Sequence, residues 1–230
     1  MFKDGKPTQN FPQFYDTHIN VTIPYYKTFN VEIINLVKAT GHGPQLWLDT
    51  GCGTGTLAES ALSVFPEVRF MLVDPSPEMM AVAKSKLESK YSPRVSFLES
   101  SATQEIILPG GKKPDVITAE LCHHYLQEKG RVEATRKCYE LLKPGGLFIT
   151  FENIRPLTSL GTDIGKTNWG NFQIAAGKSI AEAENHIQRF GVEYFPITVE
   201  QHLALLRGSG FKVVELFWYS YMQAGFYCIK

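Results

Sequence analysis

The sequence predicts an α/β fold: a doubly wound, mostly parallel seven-stranded sheet with helices on both faces and a C-terminal antiparallel hairpin. Three observations carry that prediction. Short apolar runs alternate with segments of helical spacing, as βαβ units require. A glycine-rich turn, "LDTGCGTG" at 48–55, follows the first run. Two adjacent strand-like runs, "VVELFWYS" (213–220) and "QAGFYCIK" (223–230), end the sequence.

The five earlier runs are "QLWLDTG" (45–51), "VRFMLVD" (68–74), "VSFLES" (95–100), "DVITAE" (115–120) and "LFITFE" (147–152). Each is short and rich in branched or aromatic residues, so each reads as a strand buried on both faces of a parallel sheet. After the second run, Ser76 precedes Pro77, a capping hydroxyl before a proline at the first helical position. Met79, Ala83 and Leu87 then follow at i, i+4, i+8 as a helical stripe. "LKPGG" (142–146) ends another helix, its glycines free to take positive φ. The residues joining the last two strands, Tyr221 and Met222, are not a favoured tight-turn pair.

The whole of 1–230 reads as one domain with two additions. In residues 1–43, Phe29, Ile33 and Val37 share a helical face, which predicts a helical cap over the site. Residues 153–195 interrupt the strand–helix alternation. There Ile180, Ala183, Ile187 and Phe190 repeat at helical spacing, which predicts an amphipathic helix within a mobile lid.

Composition narrows the function. With 230 residues, 43% hydrophobic, the chain can bury a full core. Lys plus Arg and Asp plus Glu both number 23, so no net field draws the protein to nucleic acid or an anionic membrane. Cys52, Cys122, Cys138 and Cys228 lack CxxC spacing, so no metal site is predicted and reduced thiols are expected. The N-terminal "MFKDGKPTQNFPQF" lacks a signal-peptide core, and nowhere do eighteen apolar residues run together. A cytoplasmic protein with a small-molecule partner is the expectation, and a homodimer is left open.

The glycine turn identifies the ligand class. Gly51, Gly53 and Gly55 give G-x-G-x-G, whereas a dinucleotide fingerprint is G-x-G-x-x-G and would need glycine at Thr56. Asp49, just before the turn, is awkward for a pyrophosphate and favourable for a cation. Asp74, at the end of the second strand, can hydrogen-bond a ribose diol. An acid, alternating glycines and a second acid together favour S-adenosylmethionine over a nicotinamide. The competing plain readings are that the glycines serve only the turn and that Asp74 caps the next helix.

At these residues the sequence resembles the class I S-adenosylmethionine-dependent methyltransferases. "WLDTGCGTG" resembles their first motif, "LVDPSPEMM" their second, "FLESSA" the loop beside adenine, and "ELLKPGGLFITFE" the segment into the fifth strand. The resemblance covers roughly 44–152, with a similar ending after 195. It implies that Gly51, Gly53 and Gly55 pass the methionine moiety, with the backbone of Cys52 inside the same loop, that Asp74 holds the ribose, and that Pro75 and Ala102 flank adenine. Ser101 stands where the family often has an Asp. Asp49, Met79 and Glu120 complete the expected cofactor-binding set.

The residues after the fourth strand, "ELCHHYLQ" (120–127), should overlie the carboxyl ends of the strands. His123 and His124 are the candidate catalytic bases, because imidazole titrates near neutral pH. A packing role, with a bond to a backbone carbonyl, is the alternative for each. Tyr25, Tyr26 and Trp169 are the expected acceptor-pocket residues. No Asn/Asp-Pro-Pro-aromatic sequence is present, which argues against methylation of exocyclic base amines and for a small-molecule acceptor. "IPYY" and the stretch from "ITVEQH" onward are also similar to carboxy-S-adenosylmethionine synthases, in which an arginine before the "T-x-E" helix binds the new carboxylate. Arg189 lies nearby, but its place on the polar side of the 180–190 stripe predicts a solvent environment. Methyl transfer is thus the first reading. A synthase-like enzyme and a non-catalytic cofactor-binding subunit are the alternatives.

Overall fold

The computed structural model describes residues 12–41 and 43–230. The first eleven residues, which include most of the N-terminal stretch read above and the start of the predicted cap, lie outside that range. The sheet contains β1 (Leu46–Thr50), β2 (Arg69–Val73), β3 (Val95–Phe97), β4 (Val116–Glu120), β5 (Leu147–Asn153), β6 (Val213–Ser220) and β7 (Gln223–Ile229). Its order is β3-β2-β1-β4-β5-β7-β6. The first five strands pair in parallel, and β7 runs antiparallel between β5 and β6. The predicted fold class is therefore correct. The order reverses between β1 and β4, and their carboxyl ends open the crevice where such sheets take ligands.

Burial follows the two-sided pattern. Trp47, Phe70, Ile149 and Phe151 pack in one core layer, and Leu48, Ile117, Phe148 and Phe226 pack in the other. All seven residues of β5 are buried. The Trp47 indole N–H is satisfied by Thr118 Oγ1 at 2.9 Å. Helices α3 (Thr56–Val64), α4 (Pro77–Tyr91), α5 (Glu128–Leu141) and α8 (Val199–Gly208) connect or flank the strands. Ser76 caps α4 by accepting from the Met79 N–H at 3.2 Å. The buried stripe of α4 is Met80, Ala83 and Leu87, so Met80 takes the core place expected for Met79.

The N-terminal segment forms two helices, α1 (Pro12–Thr22) and α2 (Tyr26–Ala39). In α2, Phe29, Ile33 and Val37 are buried, and Phe29 stacks on Phe151 with centroids 4.4 Å apart. Truncating Phe29 to alanine would cost about 3–5 kcal/mol by transfer and cavity terms. The 153–195 segment contains α6 (Ser159–Ala175) and α7 (Ile180–Gln188). Its predicted stripe is narrower than the spacing suggested. Ala183 is buried, but Ile180 is 62% exposed because α7 starts beyond the surface it packs on. Tyr221 makes the final reversal with φ 52°, unusual for a non-glycine residue. The reversal is anchored by fully buried Met222, whose carbonyl accepts from Ile154 N–H at 2.8 Å.

Candidate active site

The three glycines of the β1–α3 turn have different surroundings. Gly51 (φ 67°) and Gly55 (φ 76°) hold left-handed backbone at crowded places. A Cβ on Gly51 would stand 2.5 Å from Cys122 Cβ, and one on Gly55 2.7 Å from Leu87 Cδ1. Gly53 (φ 53°) has no atom within 4 Å of its missing side chain. The middle glycine therefore leaves room for a ligand where the outer two serve packing. Its N–H donates to Asp74 Oδ2 at 2.9 Å, while Ser76 N–H donates to Oδ1 at 2.8 Å. Asp74 thus ties the end of β2 to the glycine turn; burial raises its pKa against the pull of those two bonds.

Two carboxylates crown the crevice. Asp49, on β1, accepts from Thr118 Oγ1 at 2.6 Å, and burial raises its pKa to about 7. Glu120, at the tip of β4, is raised to about 8 by burial and by the charges of Asp49 and Glu152. Its Oε1 is buried without a hydrogen-bond partner. Both acids border a cleft shared with Tyr15, Tyr26, Gly51, Cys52 and Gly53. Acids strained toward neutrality beside an open glycine call for a cation. The amino and sulfonium groups of S-adenosylmethionine supply that charge, so the donor set fits the cofactor.

Next to the cleft lies a cavity of about 350 Å³ between α1 and α7. α1 contributes Tyr15, His18, Ile19 and Thr22; α7 and its flanks contribute Lys178, Glu182, Asn185, His186, Arg189 and Tyr194. Ile23, Leu121, His124, Tyr125 and Asn153 complete the lining. Tyr15 and Leu121 border both cleft and cavity. α1 is clasped to the glycine turn by Asp16, which accepts from Thr54 Oγ1 at 2.6 Å and pairs with Lys86 on α4 at 2.8 Å.

The two candidate bases are separated by the turn that carries them. His124 reaches the cavity, and its Nδ1 lies 2.7 Å from Glu152 Oε2. Glu152 also accepts the backbone N–H groups of His123 (3.2 Å) and His124 (2.9 Å) and the Thr150 hydroxyl (2.8 Å). Burial alone would raise the Glu152 pKa; the His124 bond and its charge bring it down to about 2. His124 Nε2 lies 3.2 Å from Asn153 Nδ2, whose amide oxygen is held by Gln223 at 2.9 Å. His123 instead meets Thr103 Oγ1 at 3.1 Å and faces Arg131 and His202 in the interior. It is absent from the cavity lining, because neighbouring residues of a tight turn project to different sides.

The acceptor-pocket expectations need correction. Trp169 is fully buried, its indole N–H donating to Thr22 O at 2.7 Å, so it anchors α6 to α1 and does not line the cavity. Tyr25 is 58% exposed at the α1–α2 turn, its left-handed backbone placing the ring edge-on to Trp218, outside both spaces. Tyr26 lines the cofactor cleft and not the acceptor cavity. Arg189, expected in solvent, lines the cavity: it ends α7, pairs with Glu193 at 2.8 Å and lies over the Tyr194 ring. Pro75 is exposed after β2, and Ser101 and Ala102 are half-buried after β3. Met79 is half-buried at the α4 start, while Cys52 packs its Sγ 3.7 Å from Met80 Sδ.

Sequence reasoning missed Tyr15, Glu152, Asn153 and Lys178. For Glu152 and Asn153 a signal existed: an acid and an amide end an otherwise apolar strand, "LFITFEN". A buried carboxylate in such a run must have partners.

Comparison with known proteins agrees with this geometry. Residues 48–148 match a family model described as a methyltransferase domain. A carboxy-S-adenosyl-L-methionine synthase of Campylobacter lari is 25% identical, the match covering 90% of this chain and 86% of that protein. A malonyl-[acyl-carrier protein] O-methyltransferase of Halalkalibacterium halodurans is 31% identical over 58% of this chain and 45% of that protein. A solved O-methyltransferase structure from Nostoc punctiforme superposes with a TM-score of 0.69 at 16% identity, covering 96% of this chain. This chain spans 60% of the length of that structure. The glycine turn with its two acids, the sheet order and these matches agree: residues 48–148 match a methyltransferase domain, and the chain as a whole is similar to S-adenosylmethionine-using enzymes of that fold.

Proposed function

We propose that the protein transfers the methyl group of S-adenosylmethionine to a small-molecule acceptor bound between α1 and α7. The observation that carries this reading is the shared wall: Tyr15 and Leu121 border both the cofactor cleft and the 350 Å³ cavity. A methyl donor in one space is then next to an acceptor in the other, the proximity that an in-line transfer needs.

When bound, S-adenosylmethionine supplies an electrophilic methyl on a sulfonium that is already a good leaving group. The chain's own residues do the rest. Asp49 and Glu120 neutralise the cationic end of the cofactor, and Gly53 gives it room. Glu152 orients His124 by accepting its Nδ1–H, which leaves the Nε2 lone pair for a proton. In the free protein that lone pair is met by the Asn153 amide, and an acceptor O–H or N–H reaches it by displacing this 3.2 Å contact. Four free thiols, Cys52, Cys122, Cys138 and Cys228, support a reducing, cytoplasmic setting.

Calorimetric titration with S-adenosylhomocysteine, followed by an acceptor-library screen for its release, tests the proposal. Tight cofactor binding with turnover of a low-mass acceptor supports it. Absence of binding at millimolar ligand, or preference for a nicotinamide, refutes it. Two observations favour a second reading, a carboxy-S-adenosylmethionine synthase-like activity: Arg189 lies on the cavity wall, and relatives of that name match over most of the chain. Its guanidinium is already balanced by Glu193 at 2.8 Å, which keeps methyl transfer the first reading. Mass spectrometry of cofactor released from the purified protein separates the two.

A further inference from the structure

The α6–α7 wall of the cavity is organised by one buried amide. Gln173 is fully buried; its Oε1 lies 2.8 Å from Lys178 Nζ and its Nε2 lies 2.9 Å from His186 Nδ1. An ammonium group only donates, so the amide oxygen must face Lys178 and the amide N–H₂ must face His186. His186 Nδ1 is then an acceptor, and the neutral ring carries its proton on Nε2. Burial and the nearby Lys178 and Arg189 charges keep His186 neutral in the same sense. The tautomer of a cavity histidine is thereby set from inside the fold, and its remaining nitrogen is a donor.

Lys178 is the lining ammonium that forms no ion pair among the described residues, although the charge of Glu182 in the same lining acts on it. Its hydrogen-bond partner is the neutral amide of Gln173, and among the described residues no carboxylate lies within ion-pair distance. The other charged lining residues are committed. Glu182 accepts from Ser179 N–H at 2.8 Å and Ser179 Oγ at 2.6 Å, and Arg189 is held by Glu193. The same cavity is lined by Tyr15, Ile19, Ile23 and Leu121, which bring apolar or aromatic surface, beside His18 and Thr22 of α1. A half-buried ammonium and an imidazole N–H, oriented by one amide in a cavity that also holds apolar and aromatic surface, form a subsite for an anionic oxygen group.

Resting on the methyl-transfer reading, we infer that the acceptor is an apolar or aromatic small molecule bearing a carboxylate or phosphate, which Lys178 Nζ and His186 Nε2–H receive. The cofactor cleft plays no part in this recognition, so the two readings separate in one experiment. Protein is first titrated with S-adenosylhomocysteine, and the saturated complex is then titrated by calorimetry with benzoate, benzamide and phenyl phosphate. An anion seated on Lys178 binds at least about tenfold more tightly than neutral benzamide, the scale of one charge-assisted hydrogen bond. Lys178→Gln removes that preference and Lys178→Arg keeps most of it, with cofactor affinity unaltered in both as a check of folding. Tighter binding of benzoate assigns the subsite to carboxylates, and tighter binding of phenyl phosphate assigns it to phosphates. Equal affinity for benzamide, no binding of any of the three, or an anion preference that survives Lys178→Gln overturns the inference. Failure at the first titration removes the methyl-transfer reading with it, whereas cofactor binding without anion preference removes this inference alone.

Discussion

Replacing Glu120 with glutamine isolates the charge logic of the cofactor cleft. In the free protein Asp49 rests near 7 and Glu120 near 8, so around pH 6 both hold protons that an ordinary carboxyl would have lost. A cation entering beside them favours the ionised forms, and binding must release protons. Affinity for S-adenosylmethionine therefore rises with pH, by up to about tenfold per unit for each releasing group, and levels off above about pH 8. Glutamine mimics the protonated acid. The variant should match the parent at pH 6 and bind roughly tenfold more weakly at pH 8.5, with about one fewer proton released. The same shifts act on stability. Asp49 is 2% exposed and is raised from 3.8 to about 7, which corresponds to about 4 kcal/mol. Because the folded pKa is the higher one, that contribution is fully present below pH 4 and is lost as pH rises through 7. Calorimetry in two buffers of different ionisation enthalpy counts the protons, and the cofactor's own amino group titrates alike in both proteins. Parallel pH profiles for parent and Glu120→Gln would refute the reasoning.

Four further outcomes are expected. Gly53→Ala should keep the fold, at a cost of about 1 kcal/mol for left-handed backbone, yet lose cofactor affinity, because its methyl enters open cleft; Gly55→Ala, 2.7 Å from Leu87, should lose stability in urea unfolding. Asp74→Ala should weaken cofactor binding by about 1–3 kcal/mol in a folded protein, and an unchanged dissociation constant would restrict Asp74 to its Gly53 and Ser76 bonds. Glu152→Gln should destabilise by about 3 kcal/mol at pH 7 and lower kcat more than it changes KM. Since Glu152 is depressed from 4.5 to about 2, the parent's advantage should be full above pH 4.5 and fade as pH falls to 2, as followed by circular dichroism. Asp16→Ala should release α1 from Thr54 and Lys86, seen as faster hydrogen exchange across 12–22 with the β1–β5 amides unchanged.

What was legible in the sequence was whatever the backbone enforces locally. Short apolar runs rich in branched and aromatic residues and bounded by turn residues favour strands, so the strands after residue 44 fall within three residues of expectation, although the edge strands β3 and β6 are only partly buried. Ser76-Pro77 and the crowded glycines likewise announce themselves, because capping and positive φ restrict residue choice. What tertiary contact decides stayed hidden. α1, "PQFYDTHINVT", has a weak apolar stripe and is held by Asp16 and by the Trp169–Thr22 bond, neither visible in its own pattern. Trp169 looked like a lid aromatic until α6 was packed on α1. Arg189 looked solvent-facing because helical periodicity runs out where α7 ends, and the chain then folds back to bring Glu193 and Tyr194 around it. His123 and His124 are adjacent in sequence, and only the position of Glu152 on β5 tells them apart.

The most direct test of methyl transfer follows one carbon atom. The protein is incubated with S-adenosylmethionine carrying a ¹³C methyl group and a fractionated small-molecule extract, and cofactor and products are read together by mass spectrometry. S-adenosylhomocysteine should accumulate with an equal amount of ¹³C-methyl in a low-mass product, both lost in His124→Ala. Label that stays on a cofactor which has gained a carboxylate, or no consumption of cofactor with any fraction, would contradict methyl transfer.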